Sequence, residues 1–274
     1  MGIVSHFELI FKPQSPASPP GVAVDRVIQG YFLEITNLEP VSLRFQLEFV
    51  AVPPVPAAPF RSLAGNTLVF VDTPGNDNQG GVLNGTAGSS SFFPSSGLIT
   101  IAPQATALVA VLPSAFGANP LDMTPLALPN FEVRGYVKLS LPALFPGPFR
   151  FPFFRVPQAA APVKVLLTPQ NRATFFKADN SISGQTQATL TVVGGSAQTT
   201  VVPDPGGPLV FTDFALADER LAIGALFQAN TLITQPEVLA ALIAQIDPAE
   251  NLAPFNAALV QAGIPFAVEK RNPR

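Results

Sequence analysis

The chain has no cysteine and no tryptophan, a single histidine, and only 12% charged residues among its 274. Each shortage excludes some chemistry. Without thiols there are no disulfides, thiolate metal sites or cysteine nucleophiles. One histidine, His6, rules out multi-histidine zinc sites and leaves histidine catalysis to a residue near the start of the chain. A serine nucleophile needs a base, and neither a GxSxG nor an SxxK sequence occurs. None of the five lysines, at 12, 138, 164, 177 and 270, follows a glycine, so the phosphate-cradling GxxxxGK[ST] loop is missing.

Long apolar runs are also lacking. The longest candidate, residues 105–112, is bounded by Pro103 and Pro113. It falls far short of the roughly 20 apolar residues a transmembrane helix needs, so no transmembrane segment is expected. The first residues lack the basic start and apolar core of a secretory signal, and His6 stands where a myristoylation pattern wants Ser or Thr. The sequence therefore leaves the compartment open. A net charge of −3 predicts no general attraction to nucleic acid or to an acidic membrane.

What the chain has is apolarity and backbone punctuation. Hydrophobic residues make up 47%, with a mean hydropathy of +0.35. That is too apolar for a disordered chain, and the charged fraction is about half that of an ordinary soluble domain. The pattern suits a protein partly covered by something else, most simply by copies of itself. Thirty-one prolines and twenty glycines are spread along the whole length. Proline is excluded from helix interiors and central strands, so these residues should cut the chain into short extended segments joined by many loops.

Residues 41–49 alternate without error, with Val41, Leu43, Phe45, Leu47 and Phe49 apolar and Ser42, Arg44, Gln46 and Glu48 polar. Period-two alternation places the first set on a core and the second towards water. Residues 27–36 read as the partner strand, joined through the turn Asn37-Leu38-Glu39-Pro40. Further strands are expected at 7–11, 67–71, 97–101, 105–112, 131–141, 163–168, 172–177 and 186–193. The last should form a hairpin with 198–202 across Gly194-Gly195-Ser196. Residues 52–61 and 72–96 read as long loops, the second beyond the usual length of an unstructured connection. Gln29-Gly30-Tyr31 and Arg134-Gly135-Tyr136 echo each other and hold both tyrosines, without extending to a repeat.

From about residue 215 the period changes. Thr234-Gln235-Pro236-Glu237 is a capping box with proline in the first turn, followed by Leu239, Leu242, Ile243 and Ile246 at helical spacing. Asp247-Pro248-Ala249-Glu250 repeats the device before Leu252, Phe255, Leu259 and Val260, and Gly263 is placed to end that helix. A further helix is expected over 218–229. The expected fold is mainly β: a β-sandwich or jelly-roll-like pair of antiparallel sheets over residues 1–210, with a small helical segment over 211–274. The β part divides, if it divides at all, into halves of about 1–115 and 125–210.

Motif searches give mostly ordinary structure. The strand 68–71 followed by Asp72-Thr73-Pro74-Gly75 resembles the magnesium-binding DxxG element of GTPases over eight residues. It stands without a phosphate loop or base-reading motif, and the same residues are usual strand-end turn chemistry. Pro74 also breaks an aspartic-protease Asp-Thr-Gly, which needs a second carboxylate in any case. Asp72, Asn76, Asp77 and Asn78 offer oxygens to calcium at a spacing that matches no established loop, so no metal site or cofactor is assigned. Asn84-Gly85-Thr86 is a glycosylation sequon that matters only in a secreted eukaryotic protein.

Two features point to partners. Seven basic and no acidic residues fall in 133–178, whereas 213–250 holds six acidic residues against Arg220, a segregation that can make adjoining surfaces complementary. Residues 144–155 carry five phenylalanines and three prolines. Stiffened by proline, they lose little entropy on docking, so Phe145, Phe149, Arg150, Phe151, Phe153, Phe154 and Arg155 are the candidate partner-binding residues. The alternative for this segment is a loop tucked into its own core. The expected function is a non-enzymatic structural subunit that self-assembles into a shell, filament or lattice. The alternatives are a β-sandwich binding lipid or carbohydrate, and a hydrolase using carboxylates brought together by the fold.

Overall fold

The computed structural model describes residues 2–14, 25–52, 62–75, 78–85, 90–114, 131–144, 154–179 and 181–208. These fall in two compact units, one of residues within 1–141 and 161–203, the other containing 142–144, 154–160 and 204–208. Strands account for 65% of the described residues, and no helix occurs among them. The expected mainly β, antiparallel fold is present, but its sheet is nearly closed into a barrel. The helices expected within 211–274 lie outside the described residues, as do residues 53–61 of the loop expected at 52–61.

The larger unit contains β1 (Gly2–Pro13), β2 (Arg26–Asn37), β3 (Leu43–Ala51), β4 (Thr67–Asp72), β5 (Gln79–Gly81), β6 (Leu83–Asn84), β7 (Ser91–Pro94), β8 (Ile99–Ile101), β9 (Thr106–Pro113) and β10 (Phe131–Ser140). Later in the chain come β12 (Val163–Phe176), β13 (Ile182–Thr189) and β14 (Gln198–Val201). The strand order is β5-β4-β9-β2-β1-β10-β3-β7-β6, with β12 also on β2, β13 and β14 on β12, and β8 on β3. The smaller unit contributes β11 (Phe154–Arg155) paired antiparallel with β15 (Gly207–Pro208), and reciprocal backbone bonds between Leu144 and Val156 of 2.9 and 2.7 Å.

Alternation builds the core. Phe7, Leu9 and Phe11 of β1, Tyr31, Leu33 and Ile35 of β2, Leu43, Phe45, Leu47 and Phe49 of β3, and Val109 and Val111 of β9 are all buried. Phe7, Tyr31 and Phe49 meet edge-to-face, with ring centroids 5.5 to 6.2 Å apart. The Tyr31 hydroxyl lies 2.9 Å from Ser5 Oγ, and neither residue is exposed. Burial pushes the Tyr31 phenol well above its usual range, opposed in part by the Ser5 hydrogen bond.

Long strands that belong to two neighbours in turn let the sheet curl. β2 pairs with β12 along one edge, while its other edge is shared between β1 at residues 26–29 and β9 at residues 31–36. Gly30 stands between the two stretches, where a Cβ would run into the Leu112 side chain. Gly135 of β10 is as close to Val50 O and the Phe7 ring. The echoed glycines therefore share one physical reason, close approach of a neighbour, while their tyrosines differ: Tyr31 is buried and Tyr136 exposed.

Several expectations need correction. β2 and β3 are consecutive but do not pair, since β3 pairs with β10, β7 and β8. The reason is Asn37, whose side chain is fully buried in the connection. Its Nδ2 donates to Val41 O at 2.7 Å and to Ile101 O and Ala102 O at 3.2 Å, and its Oδ1 accepts from Glu39 N at 3.0 Å. These bonds send the chain to another part of the sheet instead of back along β2. Val41 then precedes the strand and is 49% exposed.

Pro169 does not split residues 163–176 into two strands. It sits inside β12 opposite Leu33, and its missing N–H falls on the other edge, where β14 has ended and β13 is just beginning to pair. The expected hairpin is likewise absent. β13 and β14 lie one after the other along the same edge of β12, because the chain leaves that edge over 191–196 and bonds β1 through Val193 N to Val4 O at 2.8 Å. Finally, residues 72–96 are not one long loop, since β5, β6 and β7 fall within them.

Candidate interaction surface

The outward side chains of β1 and β10 form an ion-pair cluster. Lys12 Nζ meets Glu132 Oε2 at 2.5 Å, Arg134 meets Glu132 at 2.5 Å and also bonds Glu8, and Gln29 Nε2 donates to Glu8 Oε2 at 3.0 Å. Glu8 and then Glu132 raise the Arg134 guanidinium above its ordinary value, so it stays charged. Nearby, Glu48 accepts from Ser91 Oγ at 2.6 Å and from Lys138 Nζ at 3.1 Å. Its burial corrects the expectation that the whole Ser42/Arg44/Gln46/Glu48 face meets water. Two members of the basic stretch, Arg134 and Lys138, are thus matched by carboxylates of β1, β3 and β10. The acidic stretch 213–250 lies outside the described residues.

A different surface covers β4, β9, β2, β12 and β13. Residues opposite one another in antiparallel strands share a face, and the registers set out three adjoining rows. Phe70, Ala110, Phe32 and Gln170 form one, Asp72, Leu108, Glu34 and Thr168 the next, and Leu68 and Leu112 lead the third, ending at Arg172. Phe70 is 40% exposed, and Leu68, Leu108, Leu112 and Phe32 are half-buried. The Arg172 guanidinium lies 4.4 Å from the Phe32 ring centroid. Gln170 Oε1 accepts from Arg172 Nη2 and from Gln187 Nε2, both at 2.9 Å. The result is an apolar strip across three strands, with carboxylates at one end and a ring-stacked guanidinium at the other.

A cavity of about 200 Å³ lies where residues 191–196 leave β12, lined by Leu167, Pro169, Leu190, Val192 and Ala197 with threonine and serine hydroxyls. None of its lining side chains is ionisable, and it is smaller than an ordinary small-molecule site. Among the described residues no three His, Asp or Glu side chains converge as metal ligands. Asp72 ends β4, and Gly75 follows Pro74 in a turn at a φ of 80°. Asn76, Asp77 and Thr86 lie outside the described residues.

Of the candidate partner-binding residues, Phe145, Phe149, Arg150, Phe151 and Phe153 lie outside the described residues. Phe154 and Arg155 form β11 on β15, so that end of the segment is extended and strand-paired. Sequence reasoning missed the apolar strip because each strand contributes only one or two outward apolar residues. The hint available was that 68–70 and 108–112 lack a clean polar face.

No family model matches the chain, and no curated protein matches it. A solved structure described as "AvmM Catalyzes Macrocyclization in Alchivemycin A Biosynthesis" aligns over 74% of this chain and 90% of that one at 10% identity, with a TM-score of 0.15. A likeness at that score carries no argument about fold or chemistry. No helix among the described residues is long and apolar enough to cross a membrane.

Proposed function

We propose that this protein is a non-enzymatic structural subunit that assembles with copies of itself. The observation that carries the reading is the outward strip of Leu68, Phe70, Leu108, Leu112 and Phe32, five large apolar side chains set side by side across β4, β9 and β2. Covering five such side chains is worth on the order of 5 kcal/mol before the cost of association. Charge at its two ends, Asp72 with Glu34 and then Arg172, would orient a second copy. Sedimentation and light scattering of the purified chain, with electron microscopy of the same sample, test the reading. The expected result is a concentration-dependent mass above that of one chain, lowered by Phe70→Glu with the far-UV spectrum unchanged. A compact monomer at high concentration would refute it.

A further inference from the structure

Strand β13 differs from the other strands that end the sheet. β5, β6 and β14 span three, two and four residues, whereas β13 spans eight. All but one of its residues are exposed, and among the described residues no strand pairs with its outer edge. Leu190 N donates to Pro169 O, and the register runs back from there through Asn171↔Ala188 and Ala173↔Thr186. In an antiparallel ladder this turns the backbone groups of even-numbered residues towards β12 and those of Gln185, Gln187 and Thr189 outwards. Exposed edges of this length are normally blunted by charge, proline or a short strand. Here no charged residue occurs between Asp179 and Asp204, and β13 contains no proline.

We propose that β13 pairs antiparallel with β13 of a second copy about a twofold axis, joining two sheets into one. This rests on the self-assembly reading above and names one contact by which assembly proceeds. The partner is a second copy for two reasons. An antiparallel edge alternating donor and acceptor groups is its own complement under a twofold rotation. Any charge on such an edge would also face its own sign across the axis, and β13 carries none. Its outward side chains on one face, Gln185, Gln187 and Thr189, continue the polar end of the strip surface, where Gln187 already bonds Gln170. One paired strand buries less area than a permanent dimer needs, so the contact is reversible.

The absence of native cysteine permits a clean test. Single cysteines at each of positions 183 to 188 are placed in the full chain under mild oxidation. Near the axis one position meets its own copy at the Cα separation a disulfide accepts. That variant should form covalent dimers at least tenfold faster than the others. In parallel, Gln185→Pro removes an outward N–H while leaving the β12 ladder intact, and Gln185→Lys sets like charges across the axis. Both should weaken dimerisation at least tenfold at an unchanged Tm, and should do so again in the Phe70→Glu background. Uniform cross-linking, or dimerisation unaffected by either substitution while wild type still assembles, overturns the β13 contact and leaves the assembly reading standing. A wild type that is monomeric at every concentration overturns both.

Discussion

Asn37 is the side chain on which the β2–β3 connection depends, and replacing it has a calculable cost. The buried amide makes four contacts, three from Nδ2 and one to Oδ1. Nδ2 has two protons, so its three carbonyl contacts amount to two full hydrogen bonds, and the side chain contributes about three in all. At a net value of about 1 kcal/mol each, Asn37→Ala should cost about 3 kcal/mol. Asn37→Asp keeps the acceptor but aims a carboxylate at three carbonyl oxygens. It should cost more than Ala at pH 7. That excess should shrink as the pH falls, because repulsion and burial hold the new carboxyl's pKa above its unfolded value and a protonated carboxyl donates one bond. Urea unfolding followed by far-UV circular dichroism at pH 7 and pH 5 measures both. If Asn37→Ala lies within about 0.5 kcal/mol of wild type, below the usual worth of one hydrogen bond, the connection is held by something else.

Tyr31 gives an alkaline signature. Its phenol is raised in the folded state, so it binds its proton more tightly folded than unfolded, and the resulting stability is complete below the usual tyrosine value near 10 and is lost as the pH rises above it. With two tyrosines and no tryptophan in the chain, half of the final tyrosinate absorbance should appear only together with loss of the β-sheet signal. Smooth ionisation of both tyrosines in a still-folded chain would contradict the burial argument. Pro169 gives a positional contrast within β12. Pro169→Ala restores an N–H facing Leu190 O, which offsets the proline's restriction of the unfolded chain, so stability should change by less than about 0.5 kcal/mol. Ala173→Pro, four residues on, removes a donor from the middle of the β13 ladder and should cost about 3 kcal/mol. Equal effects in thermal unfolding would refute this account of the tolerated proline.

Strand positions were legible in the sequence where one face is buried and the other wet, and strand partners were not. In β3 the run from Leu43 to Phe49 was readable because period-two burial is a local property of the chain. Which strand lies beside it depends on Asn37, one side chain reaching carbonyls 64 and 65 residues away. The prolines misled in the same way. Pro169 looks like a strand breaker until it is known that its nitrogen faces the β13–β14 edge of β12, at the point where residues 191–196 leave that edge. The short strands β5 and β6 were hidden because glycine and asparagine there look like loop, and β7, Ser-Phe-Phe-Pro, is too short to show a period; only their neighbours make them strands. The interaction surface was the least visible feature, since Phe70, Phe32 and Leu108 come from three separated strands and become one strip only through the register.

The dividing point of β2 joins these observations. At Gly30 the strand passes from β1 to β9 as its neighbour, and that handover brings β9 and β4 beside β2 on one side while β12 holds the other. A side chain at Gly30 would press on Leu112, whose place is in the apolar strip. The same handover leaves β12 as the strand that carries β13 outward, as an edge with no further described strand beyond it. The strip and the edge are therefore consequences of one topological choice. A closed barrel would have left neither edge to pair. A sheet that curls almost to closure and then extends past the join keeps a sealed core, with Tyr31 and Phe49 inside, and still presents hydrogen-bonding backbone at its margin.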